Sequence, residues 1–169
     1  MFRSLSLWIG LSLSSILVVP AVAQPAPLPL PPARSATAPT IAQDDRLIRA
    51  FGGQEGLRAM TADFMRRVLA DQRIAIFFVG FDHAKIEGHL YNQFCQILNG
   101  GCVYTGRDMN IHAHMGITEA DFYALVEDLQ AAMTAHKVPN WAQNKLLAVL
   151  APQARDVIAV PSKPLEPQN

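Results

Sequence analysis

Glu55-Gly-Leu-Arg-Ala-Met-Thr-Ala-Asp-Phe-Met-Arg-Arg-Val-Leu-Ala-Asp71 is the stretch from which the fold is read. Leu57, Met60, Phe64, Met65 and Val68 recur at spacings of three and four, which gathers them into one apolar stripe on an α-helix. Toward the N-terminus, Gly52-Gly53 separates this helix from a short one over Asp44–Phe51. Toward the C-terminus, Ile74–Val79 is a dense apolar run too short to assign by period, expected as a buried corner. Asp82–Leu98 then places Ile86, Leu90, Phe94 and Ile97 on one helical face, with His83 near its middle and His89 at its edge. Asn99-Gly100-Gly101 ends that helix. Thr118-Glu119-Ala120-Asp121 has the pattern of a capping box. The helix it opens runs to about His136, with Phe122, Leu125, Val126, Leu129 and Met133 inward, and Pro139 closes the segment. A last helix from about Asn140 carries Leu146, Leu147, Leu150 and Val157 and should kink at Pro152. No period-two pattern competes with these stripes, so the predicted class is all-α.

The chain of 169 residues has room for one domain. Half of it is hydrophobic and its formal net charge is zero, which supplies a core and points away from nucleic acid or an anionic membrane as partner. Residues 1–23 read as a cleaved signal peptide: Arg3, an apolar stretch over Leu5–Val19, and Ala21-Val22-Ala23 before Gln24. That implies an exported, periplasmic protein with no membrane attachment after cleavage. Residues 24–43 are rich in Pro and Ala and read as a stiff linker. The domain is expected over residues 44–160, followed by a loose tail over 161–169. Cys95 and Cys102 flank the glycine break, and export permits oxidation. Their spacing leaves a disulfide and two separate thiols equally open.

A second stretch, Tyr104–Thr118, carries the chemistry. It holds His112 and His114, which on a helix would point about 200° apart, so one ligand at most faces a common pocket. His83, His89, Cys95 and Cys102 lack the spacing of a zinc site. No flavin or nicotinamide fingerprint occurs.

Several short motifs, in order along the domain, carry a family resemblance. Phe51-Gly52-Gly53-Gln54-Glu55-Gly56-Leu57, Asp63–Asp71, Phe77-Phe78 and Gln93-Phe94-Cys95 come first. The Gly-Gly break, Tyr104-Thr105-Gly106-Arg107-Asp108-Met109 and Gly116-Ile117-Thr118 follow. Together they resemble the group I truncated haemoglobins, a bacterial globin family. The resemblance implies a shortened globin fold, a two-over-two helical sandwich around haem b. It further implies that His112 is the proximal iron ligand, by counting back from Gly116-Ile117. Counting forward from Met109 falls on Ala113, one residue short, which keeps His114 as a rival. Phe78 matches the family phenylalanine on the haem plane, with Phe77 beside it, and Phe64 matches an aromatic near the distal pocket. Met65, Ile86 and Leu90 stand where many members have a tyrosine and two glutamines. His89 falls where some members bring a second histidine to the iron.

The implied function is reversible binding of a diatomic gas (oxygen, nitric oxide or carbon monoxide), as in oxygen transport, within an unusually apolar distal pocket. The alternative is a haem protein that removes nitric oxide or peroxide, as a dioxygenase or peroxidase, with electrons from a separate donor protein.

Overall fold

The computed structural model describes residues 37–159. The segment expected as a signal peptide, most of the proline-rich segment and the tail expected over 161–169 lie outside the described residues. Six α-helices are present among those described: α1 Arg46–Ala50, α2 Gly53–Ala70, α3 His83–Ile97, α4 Glu119–Ala135, α5 Asn140–Leu150 and α6 Ala154–Val157. No β-strand occurs among them.

The Glu55–Asp71 stripe is the centre of the packing. Leu57, Met60, Phe64, Met65 and Val68 are all buried on α2, which packs against both α3 and α4. Burial of such a side chain stabilises by about 2 kcal/mol, so this face outweighs the modest helix propensities of its Thr and Gly. Each neighbouring helix is started by its own local signal. The Asp82 carboxylate accepts the Lys85 amide at the start of α3 (3.1 Å). Thr118 and Asp121 form a full capping box ahead of α4. At the far ends, Asn99 after α3 and Lys137 after α4 both take positive φ (58° each). The amides of Gly100 and Val138 then return to Cys95 and Met133, closing both helices with the same six-to-one hydrogen bond (2.7 and 3.0 Å).

Two expectations need correction. The run Ile74–Val79 is not a buried corner throughout. Ala75–Phe78 forms a 3₁₀ turn, in which residues three apart share an edge. Ile74 and Phe77 therefore face inward, while Ile76 and Val79 share the outer edge and are about 70% exposed. Pro152 ends the last helix instead of kinking it. The chain tightens into a 3₁₀ turn over Ala151–Gln153, where the missing proline N–H costs nothing, and restarts as α6.

The chain ahead of α1 is also more engaged than a linker over 24–43 suggests. Thr37 and Ala38 are buried, and the Ile41 amide donates to the Ile97 carbonyl at the end of α3 (3.0 Å). Gln96 Nε2 donates to the Ala38 carbonyl. The packed body thus begins at or before Thr37.

Cys95 and Cys102 are joined in a disulfide, with Cα atoms 5.6 Å apart. The left-handed Asn99 and Gly101 reverse the chain between them, which closes a distance that sequence spacing left open.

Candidate functional site

A cavity of about 480 Å³ lies inside the helical shell, within the size range of small-molecule and cofactor sites. Phe64, Met65 and Val68 of α2, Phe77 and Phe78 of the 3₁₀ turn, and Ile86 and Leu90 of α3 form part of its wall. The strap Arg107–Ile117, which includes a 3₁₀ turn over Met109–His112, and Phe122, Leu125 and Leu129 of α4 form the rest, with residues near Pro152 closing one end.

His112 is the only histidine on this wall among the described residues. Its Nδ1 lies 2.8 Å from the Met109 carbonyl oxygen, an acceptor that holds the proton on Nδ1. The lone pair is thereby left on Nε2, the form in which imidazole binds a metal. His114 is exposed and off the wall; His89, half-buried on α3, is off the wall too. His83 is not at the middle of a face: it begins α3, is exposed, and has Nε2 3.0 Å from the Phe78 carbonyl oxygen. His136 lies 3.7 Å from the Asp63 carboxylate. No group of three or more His, Cys, Asp or Glu side chains is placed to hold a metal among the described residues.

Of the residues singled out in the sequence, Phe64, Met65, Phe77, Phe78, Ile86, Leu90 and His112 converge on the cavity, whereas His89 does not. Sequence reading missed three polar contributors, Gln93, Arg107 and Gln153. Gln93 was visible by period, three residues after Leu90, but its polarity hid it. Gln93 and Gln153 are buried, and both side-chain amides donate to the Thr37 carbonyl (2.9 Å each), so the segment before α1 satisfies the polar end of the cavity. Gln153 carries no local signal, because only the break after Pro152 turns it inward.

Arg107 is the one cationic side chain on the wall, and its guanidinium makes no ion pair among the described residues. Its backbone is placed by Tyr104, whose hydroxyl donates to the Arg107 carbonyl (2.8 Å). The Tyr104 ring lies so close over Gly106 that a Cβ there would sit 2.3 Å from it. Burial, and after it the nearby Asp108 carboxylate, pushes the Tyr104 phenol above its ordinary range and keeps it a neutral donor. Asp121, the acidic wall residue, accepts from both the amide and the hydroxyl of Thr118 (2.9 and 2.7 Å), so its charge serves the start of α4.

The wall thus offers a large hydrocarbon enclosure, one imidazole with a committed tautomer, and one guanidinium. That combination fits a flat apolar macrocycle that carries a metal and acidic side arms.

Comparison with known proteins agrees. The bacterial-like globin family model matches residues 47–159. The group 1 truncated hemoglobin GlbN of Mycolicibacterium paratuberculosis is 34% identical over 108 residues, covering 63% of this chain and 79% of that protein. The GlbN of a Nostoc species is 32% identical over 89 residues, covering 52% of this chain and 75% of that protein. Among solved structures, the Fe(III) form of the Tetrahymena pyriformis truncated hemoglobin aligns with a TM-score of 0.63 at 25% identity, over 66% of this chain and 97% of that one. The cyanomet 2/2 hemoglobin of Synechococcus, with covalently attached heme, aligns with a TM-score of 0.62 at 25% identity, over 68% of this chain and 98% of that one.

Proposed function

This chain belongs to the bacterial-like globin family as a group I truncated haemoglobin, with the two-over-two helical fold and haem as cofactor, and on that premise we propose that it binds a diatomic gas at an iron held by His112. The observation that carries the assignment is the position and tautomer of His112: on the cavity wall, Nδ1 bound to Met109, Nε2 free to ligate. His114, its rival, faces away from the cavity.

Haem supplies the iron coordination position at which a diatomic gas is taken up. The protein's own residues do the rest. Phe77, Phe78 and Phe64 would exclude water from the bound macrocycle and pack against it. Arg107 would pair with its carboxylate arms. Met65, Ile86 and Leu90 face the gas with no hydrogen-bond donor, so oxygen would be released faster than from a pocket with a tyrosine or glutamine. His89 reaches the iron only if α3 or its side chain turns inward, which would make the resting iron six-coordinate. No residue on the wall is placed to favour nitric oxide or peroxide removal over reversible binding, and that alternative also needs an electron-donor protein. We further propose export to the periplasm, on the leader-like first 23 residues and on the disulfide, which an oxidising compartment maintains.

The test is the absorption spectrum of the purified full chain with hemin. A Soret band is expected in the wild type and in His114→Ala, and its loss or strong weakening in His112→Ala. A normal haem complement in His112→Ala overturns the assignment.

A further inference from the structure

We propose that the Cys95–Cys102 disulfide is a redox-responsive latch on the strap that carries Arg107 and His112, so that its reduction loosens the strap and speeds haem loss. The consequence for haem rests on the function proposed above, whereas the latch itself rests on geometry alone.

From Gly101 to Gly116 no residue is buried; the first core side chain after the disulfide is Ile117. Val103 is 73% exposed, and Thr105, Arg107 and Asp108 are exposed as well. Half-buried Tyr104, Met109 and Met115 lean on the core, but no strap side chain is fully buried in it, so discrete polar and covalent ties carry much of the anchoring. At its N-terminal end these are the disulfide and the Tyr104 amide, which donates to Gln96 Oε1 (2.6 Å). Two residues before Cys102, the chain is held by Gln54 Nε2 on the Gly100 carbonyl (2.5 Å). Further along, the Thr37 hydroxyl donates to the Asp108 carboxylate (3.2 Å). Of these ties the disulfide alone is covalent, and it fastens the strap to Cys95, a fully buried residue of α3.

The surroundings suit exchange at Cys102. Cys102 is partly exposed while Cys95 is not, so an incoming thiolate meets the Cys102 side of the bond. The Tyr91 hydroxyl lies 3.8 Å from Cys102 Sγ, and the Arg58 guanidinium sits 3.9 Å over the Tyr91 ring. Attack at Cys102 expels Cys95 first, and a hydroxyl donor with a cation behind it stabilises the Cys102 thiolate that leaves when the second thiol resolves the mixed disulfide. The balanced step is exchange with a dithiol. The S–S bond of the pair breaks, two cysteine thiols form, and the dithiol passes over two electrons and two protons as it becomes a disulfide. In the reduced chain, two hydrogen bonds remain at that end of the strap: Gln54 donating to the Gly100 carbonyl and the Tyr104 amide donating to Gln96.

Hydrogen exchange of the full chain, read by mass spectrometry with and without dithiothreitol, tests the latch without requiring haem. Amides of residues 103–112 should exchange about tenfold faster after reduction, with α2 and α4 unchanged, as expected for release of a short covalent loop. Equal exchange in both states overturns the proposal, and so does faster exchange throughout the chain, which would mean that reduction unfolds the protein. The second measurement is transfer of haem to excess apomyoglobin. The Cys95→Ser/Cys102→Ser variant should lose haem about five- to tenfold faster than the oxidised wild type and show a broadened ferric spectrum. Unchanged haem loss with a loosened strap overturns the link to His112. A chain that shows the exchange difference yet takes up no hemin upholds the latch and removes the haem reading.

Discussion

Gly100 and Gly101 are adjacent and chemically identical, yet substituting them should fail for different reasons. A Cβ on Gly100 would lie 2.8 Å from Cys95 Sγ and 3.1 Å from both the Cys95 carbonyl oxygen and Ile48 Cδ1. Ile48 Cδ1 can shift, but the other two cannot simply swing aside: the sulfur is tied in the disulfide, and the carbonyl accepts the Gly100 amide at 2.7 Å. Such overpacking costs about 2–3 kcal/mol, so Gly100→Ala should lower Tm by roughly 10 °C in a domain of this size. Gly101 has open space, its nearest neighbour being Gln54 Nε2 at 3.7 Å, but its φ is +82°. Alanine there costs about 1–2 kcal/mol through backbone conformation alone. Urea denaturation of the oxidised chain measures both. Two controls separate the causes. Asparagine, which tolerates positive φ, should recover part of the loss at position 101 and none at 100. In a Cys95→Ala/Cys102→Ala background the nearest clash disappears, so the cost of Gly100→Ala should fall by about half while that of Gly101→Ala is unchanged. Equal costs at the two positions, or no relief on removing the sulfur, would refute the reasoning.

Other outcomes follow from the site and its surroundings. Leu90→Gln places a donor on the gas-facing side of α3 and should slow oxygen release about tenfold, the equivalent of 1–2 kcal/mol, in stopped-flow measurements; an unchanged rate would show that the wall position does not face the gas. Arg107→Met should speed loss of hemin roughly fivefold but leave loss of hemin dimethyl ester unaffected, because only the free carboxylates can pair with the guanidinium; equal effects on both would remove that role. Asp128 has a buried carboxylate oxygen, Oδ2, with no hydrogen-bond partner among the described residues. Burial, then the charge of Asp71, raises its pKa against the opposing pull of Arg73 and Arg67. The folded state therefore binds this proton more tightly than the unfolded state. The resulting destabilisation is absent below the unfolded value of 3.8, grows as pH rises through the raised folded value, and persists at neutral pH. Asp128→Asn should accordingly stabilise by about 0.5–1 kcal/mol at pH 7 and by little at pH 3. An equal gain at both pH values would contradict that account.

Much of the fold was legible in the sequence because its information is local. The three- and four-residue spacing from Leu57 to Val68 identifies a buried helical face without reference to any partner, and α2 buries that face. Thr118 and Asp121 sit within one helical turn, so their capping box could be read and is present. The shortcomings arose where a residue's environment depends on distant chain. Thr37 lies in a stretch whose composition reads as linker, yet its carbonyl is needed by Gln93 and Gln153, 56 and 116 residues away. Ile76 and Val79 are as apolar as Ile74, but the 3₁₀ turn sends them outward.

By itself the sequence determined the all-α class, the starts and stops of α2, α3 and α4 to within two residues, and, through a family's motifs in order, the nature of the cofactor. Only the tertiary structure decided which histidine meets the cavity, that Arg107 and two buried glutamines join it, and that Cys95 and Cys102 are bonded. The physical reason is one of range. Helical periodicity and capping act across three or four residues and are written in adjacent letters. The direction of His112 depends instead on how a strap with no fully buried side chain is tied to α3 and to the segment before α1, through contacts between residues far apart in the chain.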